Sequence, residues 1–289
     1  MPRLLPAAPV QSGDPGLIDL HLHTTASDGR LSPEQLVAAA AAAGLTTIAV
    51  TDHDTVEATA VVARLCCERG IEAAPGIEMS AVANGRDVHV LGYFVDPAAP
   101  TFLAFLKKQR IQRVARVEAI AARLETLGMP VDVAPIAERA RAGSSVGRPH
   151  IARALVDAGY AANTREAFER WLGEGLPAFV PRTGVSPADA FHVIHAAGGL
   201  ASLAHPGRTA IDAQIPQLRD QGLDALEAYH SDHSPEEVDT YLRMAFDLGI
   251  LVTGGSDYHA DPAREVSLGA VSLPAPHWER LVAHRAKAS

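Results

Sequence analysis

The pattern of apolar and polar positions predicts a chain in which strands and helices alternate. Apolar and polar side chains alternate near residue 20, and short apolar runs bounded by turn residues recur further along. The first predicted strands cover residues 17–23, 46–51, 71–79 and 87–94. Helical patterns separate the first three of them. Because strands and helices alternate, the pattern predicts parallel strands joined by right-handed crossovers.

The first predicted helix has a recognisable start and end. Ser32 can cap its N-terminus, Gln35 completes a capping box, and Pro33 suits the first turn. Gly44 ends the helix. A second helix is predicted over residues 56–69, ending before Gly70.

The pattern changes after residue 99. Up to about residue 171 only helical periodicity is present, and the alternation of strands and helices resumes at residue 186. The later predicted strands lie at 199–204, 223–229 and 250–253. The pattern therefore predicts one α/β domain, residues 1–99 and 186–289, with an all-helical insertion at residues 100–185 that forms a lid or a substrate pocket.

Composition limits the classes of partner. The 289 residues are 47% hydrophobic and carry a formal net charge of −9, which argues against binding duplex DNA through a broad basic face. A local basic pocket for a phosphate group remains compatible with this charge. The adjacent Cys66 and Cys67 form no disulfide framework, which favours a reducing compartment, the cytoplasm. Residues 1–13 are too short for a secretory or membrane segment, and no later stretch is apolar for long enough, so we expect no membrane partner. We also expect the protein to be a monomer.

Side chains that bind metals recur at the ends of the predicted strands. In sheets of parallel strands the carboxyl ends form the active-site face, so these side chains should meet there. They are His21, His23, Asp52, His53, Asp54, Glu78, His89, His205, His230, Asp257 and His259.

This pattern predicts a metal centre. His21 and His23 are two positions apart on a strand and therefore point to the same side. Imidazoles and carboxylates crowded in one crevice are costly to bury unless cations hold them, and a carboxylate such as Glu78 can bridge two cations. Taken singly, each motif has another explanation: the His-x-His pair could be ordinary histidines, Asp54 a helix cap, and Glu78 a solvated loop residue. Those explanations do not account for ligand-type residues at successive strand ends.

At these residues the sequence resembles the polymerase and histidinol phosphatase (PHP) superfamily. The resemblance implies a distorted (β/α)7 TIM-like barrel with two or three divalent cations at its carboxyl end. The matching stretches, in the family's order, are 19–29 (DLHLHTTASDG), 51–55 (TDHDT), 75–80 (PGIEMS), 204–206 (AHP) and 255–259 (GSDYH).

The resemblance also implies a ligand set for each cation. The first cation would be held by His21, His23, Glu78 and Asp257, the second by Glu78, His89 and His205, and the third by Asp28, His53 and His259. Asp28 stands where several family members carry histidine. Mixed nitrogen and oxygen ligands suit manganese, zinc or iron, of which we expect manganese.

The insertion is similar to the branch of the family that removes phosphate from nucleotides. The matching segment, 147–150 (GRPH), opens a helix. The Arg148 guanidinium can bind two oxygens of one phosphate group at the same time. The free N–H groups of a helix N-terminus also favour binding of an anion. His150 belongs to this phosphate-facing segment, and Arg182 and Arg208 are candidates for a second phosphate contact. The alternative for Arg148 is a surface salt bridge.

The resemblance implies a metal-dependent phosphoesterase that uses a hydroxide bridging two cations. Its substrate would be a nucleoside 3',5'-bisphosphate, the 5' end of a short RNA, or both. The leaving oxygen would take its proton from His230, Asp54 or water. The alternatives are a histidinol-phosphate phosphatase, which shares barrel and metals, and a non-catalytic metal-binding PHP domain.

Overall fold

The computed structural model describes residues 16–288, so the predicted N-terminal segment 1–13 lies outside the described residues. The strands are β1 (Leu17–Leu22), β2 (Leu45–Val50), β3 (Glu72–Ala83), β4 (Arg86–Tyr93), β5 (Leu200–Leu203), β6 (Ala225–His230) and β7 (Leu251–Gly255). The α-helices are α1 (Pro33–Ala42), α2 (Thr59–Cys67), α3 (Pro100–Thr126), α4 (Ala134–Arg141), α5 (Arg148–Asp157), α6 (Thr164–Ala167), α7 (Pro187–Ala196), α8 (Ile215–Asp220), α9 (Pro235–Leu248) and α10 (Ala275–Ala288).

The seven strands form one sheet that curls into a nearly closed barrel. They are hydrogen-bonded in chain order from β1 to β7. The sheet closes where the chain after β7 meets the end of β1: Leu22 bridges Tyr258, and the His23 N–H donates to the Tyr258 carbonyl at 3.0 Å. This architecture confirms the predicted distorted (β/α)7 barrel.

The parallel pairing predicted from the alternation of strands and helices does not extend to β4. This strand runs antiparallel to both β3 and β5, whereas the other neighbouring pairs are parallel. The reason is the connection between β3 and β4, which consists of Asn84 and Gly85, both with positive φ (51° and 79°). Two such residues form a tight hairpin turn, and a hairpin leaves no chain for the helix that a parallel crossover needs.

The predicted capping box at the start of α1 is confirmed. The Gln35 N–H donates to Ser32 Oγ at 3.3 Å, and the Ser32 N–H donates to Gln35 Oε1 at 2.9 Å. These bonds satisfy N–H groups that the first turn of a helix leaves unpaired. The loop between β1 and α1 is therefore fixed at both ends, which matters because it contains residues near the barrel's carboxyl end.

Helix α3 joins two apolar cores. Its first turns place Phe102 and Leu106 in the core that packs around the barrel, and its later turns place Ile120 and Leu124 in a second core formed by the segment between β4 and β5. A continuous helix is stiff over this length, so the second core keeps a fixed position relative to the barrel. Among the described helices, none is both long enough and apolar enough to cross a lipid bilayer.

Candidate metal centre

The structure gathers all nine predicted ligands at one end of the barrel. Seven are buried, and His89 and His259 are partly exposed. The predicted ligands form three groups whose ligand atoms lie within 4.8 Å of one another: His21, His23, Glu78 and Asp257; His53, Glu78 and His89; and His23, Asp28, His53 and His259. A fourth such group joins His21 to Glu227 and His230. His205 joins the second group through Glu78, 3.2 Å away.

Local structure explains why these side chains converge. His21 lies on β1 and His23 directly follows it, and their ring centroids are 5.2 Å apart. β7 approaches β1 closely at this level, because a Cβ on Gly255 would lie 2.4 Å from the His21 nitrogen. His205 and Asp257 directly follow β5 and β7 with positive φ values of 28° and 54°. Such backbone is costly without glycine and is typical of functional sites.

Glu78 lies at the middle of the centre rather than at the end of its strand. The sequence placed it at the end of a strand, but β3 continues to Ala83 because it pairs with β4 in the hairpin. The two carboxylate oxygens face different groups: Oε2 lies 3.1–3.3 Å from ring nitrogens of His21, His23 and His53, and Oε1 lies 2.7 Å from His89 and 3.2 Å from His205. Glu78 therefore offers one oxygen to each of two neighbouring groups that could hold a cation.

The inward-facing atoms fit a divalent cation. Within the described chain, several are buried and have no hydrogen-bond partner despite their close approach. They are His21 Nε2, His23 Nε2, His53 Nδ1, Glu78 Oε2 and His89 Nδ1. Buried polar atoms are rarely left unpaired, so a cluster of them that contains only metal-ligand types indicates that a cation is their common partner.

Electrostatics keep two carboxylates of the centre ionised and one of its histidines neutral. Burial opposes ionisation of Glu78, but the rings of His53 and His89 hold its pKa well below the usual range. Burial likewise opposes ionisation of Asp28, and His259 and His53 hold its pKa well below the usual range. Burial lowers the pKa of His205 to about 4, which keeps that ring neutral at pH 7. Ionised carboxylates and neutral imidazoles are the ligand forms that cations require. Although burial opposes protonation of His21 and His23, the neighbouring carboxylates raise the pKa of His21 well above its usual range and that of His23 to about 10, so a cation would have to displace a proton from each ring.

Asp28 lies where a third cation would be held. Its Oδ1 is 3.2 Å from His259 Nε2, and its Oδ2 is 3.7 Å from His53 Nε2. His53 therefore faces two groups at once, since its Nδ1 approaches Glu78 and its Nε2 approaches Asp28. The carboxylate at position 28 reaches the point that the third ligand set requires.

A cavity of about 510 Å³ opens directly over the centre. Its lining combines predicted ligands such as Glu78 and Asp257 with arginines. The arginines on the cavity wall are Arg113, Arg116, Arg148, Arg165, Arg182, Arg208 and Arg264. Of the four predicted phosphate-binding residues, Arg148, Arg182 and Arg208 line the cavity. His150 does not: it is buried behind the wall, where its Nδ1 accepts from the Gly147 N–H at 3.2 Å.

Arginines from distant parts of the chain converge on Asp87. Its Oδ2 is 3.1 Å from Arg148 and 3.3 Å from Arg116, and its Oδ1 is 3.6 Å from Arg182. Arg148 does form an ion pair, as the alternative interpretation expected, but it does so on the cavity wall and beside the rings of Phe168 and Phe179. Three cations around one anion leave positive charge facing the cavity.

Comparison with known proteins decides the family. Residues 19–131 match the PHP domain. The chain is 35% identical over 260 residues to the 5'-3' exoribonuclease Rnm of Escherichia coli, with 88% of each chain covered. It is 34% identical over 248 residues to the 3',5'-nucleoside bisphosphate phosphatase of Chromobacterium violaceum, covering 84% of this chain and 87% of that one. The chain belongs to the PHP family.

A solved structure agrees with this assignment. A metal-dependent phosphoesterase from Bifidobacterium adolescentis superposes with a TM-score of 0.84 at 29% identity, covering 92% of this chain and 95% of that one. The PHP resemblance that the motifs indicated is therefore confirmed, together with the barrel.

The two candidate proton donors of this PHP protein differ in their surroundings. His230 ends β6, and its Nδ1 accepts from the Asp232 N–H at 3.0 Å. A neutral ring must then carry its proton on Nε2, which lies 3.7 Å from Asp257 Oδ2. Asp54 is fully buried and accepts hydrogen bonds from Arg113 at 2.5 Å and from the Ser80 N–H at 2.9 Å. Although burial opposes its ionisation, Arg113 lowers the pKa of Asp54.

Sequence reasoning missed the groups that hold the PHP ligands in place. Asp52 accepts hydrogen bonds from the Thr24 N–H (2.8 Å), Thr24 Oγ1 (2.6 Å) and Ser27 Oγ (2.6 Å), and so fixes the loop that carries Asp28. Arg264 donates to Asp257 Oδ2 at 2.8 Å. Asp52 was counted among the metal-binding residue types at the strand ends but was given no place in a ligand set. Arg264 lies in irregular chain after β7, where no pattern marks it.

Proposed function

We propose that this protein is a metal-dependent phosphoesterase that removes phosphate from nucleotides, namely nucleoside 3',5'-bisphosphates, the 5' ends of short RNA, or both. The observation that carries the proposal is one cavity lined both by the ligand groups and by arginines, three of which surround Asp87. A substrate with two phosphate groups can place one at the ligand groups and the other at these arginines. The names of the two similar proteins, an exoribonuclease and a bisphosphate phosphatase, support this substrate class.

The proposed ligand sets are those that the family resemblance implies, and the groups of neighbouring side chains support them. We assign His21, His23, Glu78 and Asp257 to the first cation, Glu78, His89 and His205 to the second, and Asp28, His53 and His259 to the third. Manganese is the proposed metal, with zinc or iron as alternatives, because the ligands mix imidazole and carboxylate. Cations bound there would supply an activated water and neutralise charge that develops on phosphate.

The arginines have two proposed tasks. Arg208 and Arg264 approach Asp257 Oδ2 at 3.5 Å and 2.8 Å, so their guanidinium groups stand where they can bind the phosphate that reacts. Arg148 and Arg182 lie beside Asp87 on the cavity wall and would bind the second phosphate. Burial and the neighbouring Arg113 lower the pKa of Arg182 to about 9, which leaves the group cationic at neutral pH.

His230 is the proposed proton donor to the leaving oxygen. Its Nε2 has no hydrogen-bond partner among the described residues and points toward Asp257. Asp54 is unsuited to this task, because an ionised carboxylate bound by Arg113 holds no proton to give at neutral pH. We therefore propose that Asp54 holds the Arg113 side chain in place instead.

The segment 100–185 is the proposed substrate-binding insertion, with the remaining chain forming the barrel domain. It supplies several of the arginines on the cavity wall: Arg113 and Arg116 from α3, Arg148 from the start of α5, and Arg182.

The two alternative functions explain less of the site. A histidinol-phosphate phosphatase would need no second anion site, and a non-catalytic domain would not need all nine ligand positions to be filled. We further propose that the protein works in the cytoplasm, since Cys66 and Cys67 are both free, and that it works as a monomer.

The proposal is tested by offering manganese-loaded protein three substrates side by side. We expect phosphate release from a nucleoside 3',5'-bisphosphate and release of mononucleotides from a short 5'-phosphorylated RNA, with little activity on histidinol phosphate. In Arg148→Ala, KM for the bisphosphate should rise about 10- to 100-fold, because one charge-assisted contact to phosphate is lost. Metal content should not change.

Arg141→Ala is the matched control, since this arginine is exposed and lies on α4, within the same proposed insertion as Arg148. It should behave as the wild type does. Activity on histidinol phosphate alone would overturn the nucleotide assignment, and an equal loss of metal content and turnover in Arg148→Ala would show that Arg148 acts only on the structure.

A further inference from the structure

A fully buried carboxylate, Glu227, lies beneath the metal centre and takes no part in the function proposed above. It is on β6 between Leu226 and Ala228, two residues of the barrel core, and its exposure is 0%. A buried charge in such surroundings is expensive unless it is fully hydrogen-bonded. Its contacts therefore indicate what it does.

Each oxygen of Glu227 contacts a ligand of a different cation. Oε1 lies 2.9 Å from His21 Nδ1, and Oε2 accepts a hydrogen bond from the His205 N–H at 2.7 Å. In the ligand sets proposed above, His21 belongs to the first cation and His205 to the second. We infer that Glu227 is a positioning residue that prepares the first and second metal sites together, an inference that rests on the proposed metal centre.

The contact with His21 selects the tautomer that binds metal. A neutral imidazole has one N–H, and donation from Nδ1 to Glu227 leaves the lone pair on Nε2. That nitrogen faces the centre, 3.3 Å from Glu78 Oε2 and 3.4 Å from Asp257 Oδ1. A carboxylate behind a metal-binding histidine is a recurrent arrangement that orients the ring and strengthens it as a ligand.

The contact with His205 stabilises an unfavourable backbone. The φ of His205 is 28°, a conformation that a non-glycine residue adopts only when its surroundings impose it. The bond from its N–H to Glu227 is one such constraint, at the point where the chain leaves β5. With this backbone, His205 Nε2 reaches Glu78 Oε1 at 3.2 Å.

Glutamine at position 227 could not serve both contacts. If its oxygen accepts from the His205 N–H, its NH2 group faces His21 Nδ1 and moves the ring proton to Nε2, where it blocks the metal. If the amide is reversed, its NH2 group meets the His205 N–H, and two donors face each other. Glu227→Gln therefore keeps the shape of the side chain but cannot accept hydrogen bonds from both His21 Nδ1 and the His205 N–H.

The experiment compares manganese binding by metal-free wild type, Glu227→Gln and Glu72→Gln. Glu72 is the matched control, a strand glutamate at the start of β3 that accepts from Trp278 Nε1 at 3.1 Å. Free manganese is followed by electron paramagnetic resonance, and circular dichroism checks the fold. Affinity at two sites should fall roughly 10- to 100-fold in Glu227→Gln, with the third site and the control unchanged.

A measurement on the wild type keeps the test independent of how the variant folds. In zinc-loaded protein, 15N spectra of the histidine rings should show His21 protonated on Nδ1, with assignment by a His21→Asn variant. Protonation on Nε2, or wild-type manganese affinity in Glu227→Gln, would overturn the inference and leave the proposed function standing. Failure of the wild type to bind manganese, zinc or iron would overturn both.

Discussion

Replacing Glu78 with glutamine is expected to reduce phosphate release by about 1,000-fold or more and to remove bound metal. Its Oε2 faces His21 and His23 at 3.3 Å and 3.2 Å, and its Oε1 faces His89 at 2.7 Å. Glutamine offers one oxygen and one NH2 group, and an NH2 group is a donor that cannot bind a cation. At most one of the two neighbouring sites then keeps its ligand, and the stabilisation that two metals provide is worth several kcal/mol.

The measurement is kcat for the nucleotide substrate together with metal content by mass spectrometry of the purified protein. Glu118→Gln, an exposed glutamate on α3, is the matched control and should retain both. If Glu78→Gln bound as much manganese as the wild type and lost less than about tenfold in kcat, Glu78 would not be the bridge.

Replacing Arg113 with methionine is expected to cost about 3–5 kcal/mol of folding free energy, the usual effect of leaving a buried charge without its partner. Arg113 is itself buried and bonds Asp54 at 2.5 Å, Ser80 Oγ at 2.6 Å and the Val146 carbonyl at 3.0 Å. These bonds tie α3 to β3 and to the loops that follow β2 and α4. Removing the guanidinium leaves the buried Asp54 carboxylate its bond from the Ser80 N–H but takes away the cation bonded to it.

Urea unfolding of Arg113→Met, Asp54→Asn and the double variant measures this coupling. We expect the double variant to be more stable than Arg113→Met alone, because the uncompensated carboxylate is then absent. Arg141→Met provides the control for loss of an exposed arginine. A loss below about 1 kcal/mol in Arg113→Met, the range of a surface ion pair, would show that the contact contributes little.

The ligand-type residues could be found from the sequence because each belongs to a short local pattern. His21 and His23 lie two positions apart at the end of the first strand, and Asp257 and His259 follow the last strand. Since strand ends meet at one edge of a barrel, a local pattern was enough to predict which side chains come together. The capping box at Ser32 was predictable for the same reason.

One feature of the fold was readable in the sequence and was missed. Asn84-Gly85 between two apolar stretches is the strongest short signal for a tight hairpin, because both residues tolerate positive φ. Recognising it would have shown that β4 runs antiparallel to β3. It would also have shown that β3 extends beyond Glu78.

The outer contacts of the site had no local signal. Glu227 meets His21 across 206 positions of sequence, and Arg113 meets Asp54 across 59. Arg148 reaches Asp87 from 61 positions away. Pairs so distant in sequence depend on the packing of whole elements, which neither periodicity nor residue type specifies.

The central claim is that this PHP protein hydrolyses nucleotide phosphate with metals held by its clustered histidines and carboxylates. The most direct measurement follows inorganic phosphate released from a nucleoside 3',5'-bisphosphate by protein stripped with a chelator and then titrated with manganese. We predict that stripped protein is inactive and that activity returns and saturates at two or three equivalents of metal. Undiminished activity after complete removal of metal, or no activity with any of manganese, zinc and iron, would contradict the account.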